Sequence, residues 1–136
     1  MNQTGKRKAR ILVVDDDPGL LRLLTIRLRA ESYDVEAVES AAQALAASSR
    51  FRPDLVITDL RMPNMDGLEF TLRLRKEPGG STLPVIFYTA TFLQGEARAM
   101  AATCGVTQVL MKPCGPQEIL AAVAISLGVP VFQPPA

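Results

Sequence analysis

Apolar positions along the chain follow two periods, and stretches of one alternate with stretches of the other. Residues 11–14 are an unbroken apolar run, which reads as a strand covered on both faces. Behind it Leu20, Leu24 and Leu28 recur at helical spacing. Asp17-Pro18 supplies an N-cap followed by proline at the first helical position. A short strand is predicted over residues 33–38, then an alanine-rich helix over 41–49. Pro53 closes that connection, and Leu55-Val56-Ile57 is another buried apolar block. After Gly67 the pairs Phe70/Leu74 and Leu68/Leu72 predict a helix that Pro78-Gly79-Gly80 breaks. Residues 84–88 read as the fourth strand, 96–102 as a helix ending before Gly105, and 106–111 as the fifth strand. The last helix is expected over 116–127, with Ile119, Val123 and Leu127 on one stripe.

Strands and helices alternating through short connections imply an α/β fold, a parallel sheet with helices on both faces. Right-handed crossovers and the strand order 2-1-3-4-5 gather the C-terminal ends of strands 1, 3, 4 and 5 at one edge. That edge is where open α/β sheets bind ligands. The domain is expected to span residues 9–127. Residues 1–8 read as a basic, solvated N-terminal tail. Residues 128–136 read as a proline-rich tail or linker, which favours a piece of a longer protein.

A length of 136 residues suits a single domain that folds without staples. The net charge of +1, with no large single-sign field, argues against direct nucleic-acid binding. No stretch approaches the roughly 18 apolar residues of a membrane span, and no signal-peptide pattern opens the chain. A cytoplasmic protein with no membrane partner is therefore expected, with Cys104 and Cys114 as free thiols. Histidine is absent. This removes imidazole bases, imidazole metal sites and any phosphohistidine carried by the chain itself.

The chemistry concentrates at the predicted strand ends. Strand 1 ends in Asp15-Asp16-Asp17, strand 3 in Asp59, strand 4 in Thr89-Ala90-Thr91 and strand 5 in Lys112-Pro113. Read singly, the acids are helix caps, Thr89 a turn hydroxyl and Lys112 a surface lysine. Asp59 alone is as well explained as a capping acid as it is as a nucleophile or metal ligand. Their joint placement is harder to reach by accident. Two carboxylates about 5 Å apart repel by roughly 3 kcal/mol at an effective dielectric near 20. Acids gathered at one edge therefore favour a divalent cation, and an all-oxygen donor set suits Mg²⁺, with Mn²⁺ as the alternative. Such an ion and the Lys112 ammonium would attract a phosphoryl group, which Asp59 could accept as an acyl phosphate.

These motifs carry a resemblance. Residues 11–18 (ILVVDDDP), 59–67 (DLRMPNMDG), 84–90 (PVIFYTA) and Lys112-Pro113, in this order and at these separations, resemble the receiver domain of two-component response regulators. The resemblance implies a flavodoxin-like (βα)₅ three-layer sandwich of the CheY type. It implies Asp59 as phospho-acceptor and Asp15 and Asp16 as the acidic pair holding Mg²⁺, with the backbone carbonyl of Arg61 completing the protein ligands. Thr89 and Lys112 would contact the phosphoryl oxygens, and the Lys112–Pro113 bond would be cis. Arg61 and Thr91, two residues beyond Asp59 and Thr89, would tune the lifetime of the phosphoryl group. The implied partner is a sensor histidine kinase or a histidine phosphotransfer protein, with homodimerisation left open. The domain would catalyse its own phosphorylation and dephosphorylation without turning over a separate substrate.

One position departs from the family. The strand-5 site that commonly holds a Tyr or Phe switch is Val109, so output is expected to rest more on the loop after Thr89 or on the fourth helix. Four other readings compete. A haloacid-dehalogenase-type phosphatase would use Asp15 as nucleophile, but only Glu118 follows Lys112 to complete its metal site. A flavodoxin-like cofactor binder would need a phosphate-cradling loop where the acidic triplet stands. A non-phosphorylated pseudo-receiver would bind partners constitutively. A receiver segment of a larger hybrid sensor histidine kinase would share every motif.

Overall fold

Each apolar strand block turns alternate residues to opposite helical layers. In the computed structural model, which describes residues 7–90 and 94–129, Leu12, Val14, Val56, Phe87 and Val109 share one hydrophobic cluster. Ile11, Val13, Leu55, Ile57, Ile86 and Tyr88 belong to a second cluster on the other face. The strands are β1 (Arg10–Val14), β2 (Asp34–Val38), β3 (Leu55–Thr58), β4 (Val85–Thr89) and β5 (Gln108–Met111). They pair in parallel in the order β2-β1-β3-β4-β5. The intervening helices are α1 (Pro18–Ala30), α2 (Ala41–Phe51), α3 (Gly67–Leu74), α4 (Gln94–Thr103) and α5 (Pro116–Leu127). Helices α2, α3 and α4 cover the first cluster through Ala44, Phe70 and Ala101. Helices α1 and α5 cover the second through Leu24 and Val123. This is the flavodoxin-like, CheY-type architecture.

Helix starts follow the polar signals. The Asp17 carboxylate accepts the N–H groups of Gly19 and Leu20, Ser40 accepts that of Gln43, and Asp66 accepts that of Glu69. Helix ends explain two misplaced strand boundaries. Tyr33 N–H bonds Leu28 O beyond Ser32, whose φ is +68°, and Val106 N–H bonds Ala101 O beyond Gly105, whose φ is +73°. Both are six-to-one helix closures, so Tyr33 and Val106 serve helix caps, and β2 and β5 begin after them.

Two other expectations need correcting. The buried stripe of α1 is Leu21, Leu24 and Leu28, with Leu20 only half-buried. In α3, Leu72 is exposed while Phe70, Thr71 and Leu74 are buried, because so short a helix offers one narrow face to the sheet. Arg7, in the basic N-terminal tail, is exposed to solvent but tied to the domain. Arg7 makes a two-pronged pair with Asp54 at 2.8 and 3.0 Å, and Arg10 donates to Phe51 O. Because Arg7 and the Arg10 N–H hold the Asp54 carboxyl below its ordinary range, this link is lost only as pH falls through that lowered value.

Among the described residues, no helix is long and apolar enough to cross a membrane.

Candidate functional site

Sheet pairing runs one residue past β1 and β3 and thereby fixes two acids. Asp15 N–H donates to Val38 O, and Asp59 N–H donates to Val14 O. The carboxylates of both residues stand at the C-terminal edge of adjacent strands, almost wholly buried. Asp16 is exposed beside them, and one carboxylate oxygen from each of the three lies within 4.8 Å of the others. Asp17 is not part of this cluster, since its side chain caps α1.

The loop after β3 holds Asp59 by a close backbone approach. Thr58 donates its hydroxyl to Asp59 O, and Gly67 N–H donates to Leu60 O at 2.8 Å. A Cβ on Gly67 would lie 2.2 Å from Asp59 O and 2.9 Å from Leu60 Cα. Only glycine lets the first turn of α3 lie this close to the acid's own backbone. Within the loop Asn64 takes a φ of +72°, a region Asn tolerates, while Leu60 and Met62 are buried.

Lys112 comes from the end of β5. Its N–H donates to Thr89 O at 2.9 Å, and its bond to Pro113 is cis, as the family resemblance implies. The ammonium donates to Asp15 Oδ2 at 2.7 Å and to Asp59 Oδ2 at 3.0 Å, so one cation bridges two buried carboxylates. The remaining oxygens are also engaged: Asp15 Oδ1 accepts Asp17 N–H at 3.0 Å, and Asp59 Oδ1 accepts Arg61 N–H at 3.3 Å. Burial pushes the Asp15 carboxyl above its ordinary range despite Lys112. Burial also works against the Lys112 ammonium, but its bonds to Asp15 and Asp59 prevail and hold it above its ordinary value. Both cysteines are free, and burial raises both thiols, which leaves them protonated and weakly nucleophilic.

The fold thus brings Asp15, Asp16, Asp59 and Lys112 together and seats Thr89 on the same edge, fully buried at the end of β4. Arg61 reaches the site through its backbone N–H, and its side chain is exposed. Val109 sits in the opposite cluster beside Phe87, its register partner on β4. Thr91 lies outside the described residues. Sequence reading missed the lysine bridge and missed Tyr88, whose ring has Lys112 Nζ 5.6 Å from its centroid. Strand alternation could have set Tyr88 opposite Phe87, but only the packing shows that its face meets α1 and α5. Glu118 is exposed and accepts Gly115 N–H at the start of α5, so it does not supply the late acid a dehalogenase-type site requires.

The donors that converge here fit Mg²⁺: all are carboxylate oxygens, and nitrogen and sulfur ligands are absent from the cluster. Three carboxylates and one ammonium leave a surplus of negative charge, and Asp16 is the acid outside the lysine bridge. Replacing Asp16 with Ala is therefore expected to raise the metal-free melting temperature. Its exposure keeps the gain near the high-dielectric limit, about 1 kcal/mol or roughly 3 °C. Added Mg²⁺ should then stabilise the parent and not the variant. Thermal melts with and without Mg²⁺ check this, and an unchanged or lower metal-free midpoint counts against the charge-crowding argument.

An open parallel sheet with an acidic trio and a lysine at its switch-point edge is the plan of a receiver. Comparison with known proteins agrees. The family model for the response regulator receiver domain matches residues 11–124, and the chain belongs to that family. The DNA-binding response regulator MtrA of Mycolicibacterium smegmatis is 38% identical over 120 residues, 88% of this chain and 51% of its own length. The transcriptional regulatory protein GlrR of Escherichia coli is 42% identical over 118 residues, 86% of this chain and 26% of its own. The chain thus spans about half or less of these curated relatives. Among solved structures, chemotaxis protein CheY4 of Vibrio cholerae superposes with a TM-score of 0.83 at 28% identity, covering 88% of this chain and 99% of that one. The receiver domain of a signal transduction histidine kinase from Syntrophus aciditrophicus gives 0.79 at 30% identity, over 94% and 97% of the two chains.

Proposed function

We propose that this receiver accepts a phosphoryl group on Asp59 from a phosphohistidine of a partner kinase or phosphotransfer protein. The lysine bridge carries this reading: Lys112 spans Asp15 and Asp59, with an Asp16 carboxylate oxygen within 4.8 Å of theirs. An Asp59 carboxylate oxygen attacks phosphorus in line, the O–P bond forms as the donor's N–P bond breaks, and the imidazole leaves. Lys112 then neutralises charge on the phosphoryl oxygens, and the Thr89 hydroxyl donates to one of them. Asp15, Asp16, Asp59 and the Arg61 carbonyl would hold Mg²⁺, or Mn²⁺ in its place, which when bound offsets the negative charge of acceptor and donor. Arg61 and Thr91 tune the hydrolysis of the product, a self-limiting step rather than turnover of a separate substrate.

Residues 9–127 form the receiver unit in this reading, with 1–8 and 128–136 as flanks. Whatever those flanks join, the domain's own activity is the same for a regulator or a hybrid kinase segment. Acetyl phosphate with Mg²⁺ should add one phosphoryl mass to the intact protein, and Asp59→Ala should abolish the gain. The reading fails if neither that donor nor a panel of histidine kinases labels the protein, or if label persists in Asp59→Ala. Failure to label is also what a pseudo-receiver would give.

A further inference from the structure

Lys112 has a third neighbour that a receiver's phosphoryl chemistry does not call for. Its ammonium lies 5.6 Å from the centroid of the Tyr88 ring, within the range of a cation–π attraction. The ring is almost wholly buried, yet its hydroxyl oxygen accepts a long hydrogen bond from Cys114 N–H at 3.5 Å. Tyr88 therefore touches the segment from Lys112 to Cys114 at both ends, immediately before α5. It also forms part of an apolar groove between α1 and α5 with Leu20, Leu24, Ile119 and Leu120. Val109, where the family's aromatic switch commonly sits, faces the other helical layer.

We propose that Tyr88 is a positioning residue: its ring holds the Lys112 ammonium toward Asp15 and Asp59 and transmits the ammonium's movement to the α1–α5 groove. The transmission half rests on the phospho-acceptor reading of Asp59. When a phosphoryl group adds anionic oxygens beside Lys112, the ammonium is drawn toward them and shifts against the ring while keeping its contact with it. The Cys114 contact and the groove wall adjust together, because the same short segment carries both. The readout of the charged state thus runs to the α1–α5 face, on the side of the sheet away from Val109.

The chain has two tyrosines and no tryptophan, so a Tyr33→Phe background makes Tyr88 the sole strong emitter. In that background Lys112→Met is expected to change Tyr88 emission without any ligand. Acetyl phosphate with Mg²⁺ should change it again in the protein that keeps Lys112. Tyr88→Leu should lower the rate of labelling at least about threefold, the worth of a cation–π contact at its weaker, exposed end, while Tyr88→Phe retains it. Identical emission with and without Lys112, or equal labelling rates for the Leu variant and the parent, overturns the proposal. If emission depends on Lys112 but no variant is ever labelled, ring positioning stands and the phospho-acceptor reading falls. If labelling occurs with emission unmoved, the reading stands and the transmission falls.

Discussion

Gly67→Ala is expected to destabilise the domain by about 3 kcal/mol, roughly 10 °C in melting temperature. Intrinsic helix propensity predicts the opposite sign, since alanine gains about 1 kcal/mol over glycine inside a helix. Sterics decide it. The added Cβ would stand 2.2 Å from Asp59 O, and both groups that must separate are backbone. Neither the first turn of α3 nor the end of β3 can yield by turning a side chain. Relief requires the backbone at Asp59 or at the start of α3 to shift, so phosphoryl labelling should fall even well below the melting temperature. Gly95→Ala provides the contrast. It lies in α4 with nothing within 4 Å of a built Cβ, and there the propensity gain should stand unopposed. Thermal melts of the two variants with intact-mass labelling check both halves, and a Gly67→Ala protein that melts with the parent refutes the steric argument.

Lys112→Met should cost about 3 kcal/mol near neutral pH, the usual loss when one partner of a buried ion pair is removed. The Asp15 and Asp59 side chains are only 3% and 9% exposed, so the abandoned carboxylates cannot recover their hydration in place. The pH dependence follows from Asp15. Burial already raises its carboxyl, and losing Lys112 removes the contacts that lower it. A carboxyl raised in the folded state destabilises that state above its unfolded value. The deficit therefore shrinks as pH falls through the raised Asp15 value and Asp15 takes up a proton. In the parent, Lys112 is the group held high. Its contribution is fully present below the ordinary ammonium value of 10.5 and is lost as pH rises through the higher folded value. Mg²⁺ should restore part of the variant's stability while labelling stays strongly reduced. Melting curves across the acid range test the sign, and a deficit independent of pH would contradict it.

The element order, the parallel sheet and the edge that carries the acids were readable because each rests on short-range pattern. Apolar runs such as Leu55-Val56-Ile57 specify buried strands, and Asp17-Pro18 and Asp66-Gly67 specify where helices begin. Boundaries were misread where a residue had two uses. Val106 looks like the first residue of a strand, yet its N–H closes α4 on Ala101. In α1, Leu20 and Leu21 both fit an apolar stripe, and only the packing of the helix on β1 and β2 selects Leu21.

The candidate chemistry divides along the same line. Sequence alone determined which residue types reach the switch-point edge, since Asp15, Asp16, Asp59, Thr89 and Lys112 each stand at a strand tip fixed by local pattern. Their relations are long-range. Ninety-seven residues separate Lys112 from Asp15, and local propensity does not say that one ammonium reaches both carboxylates. Tertiary structure also separated Asp17, a cap, from Asp15, a buried acid with an identical side chain two positions away. It placed Tyr88 against the lysine and Val109 on the far face. The physical reason is that burial and charge pairing depend on which surfaces pack together, and a one-dimensional pattern specifies surfaces without specifying their partners.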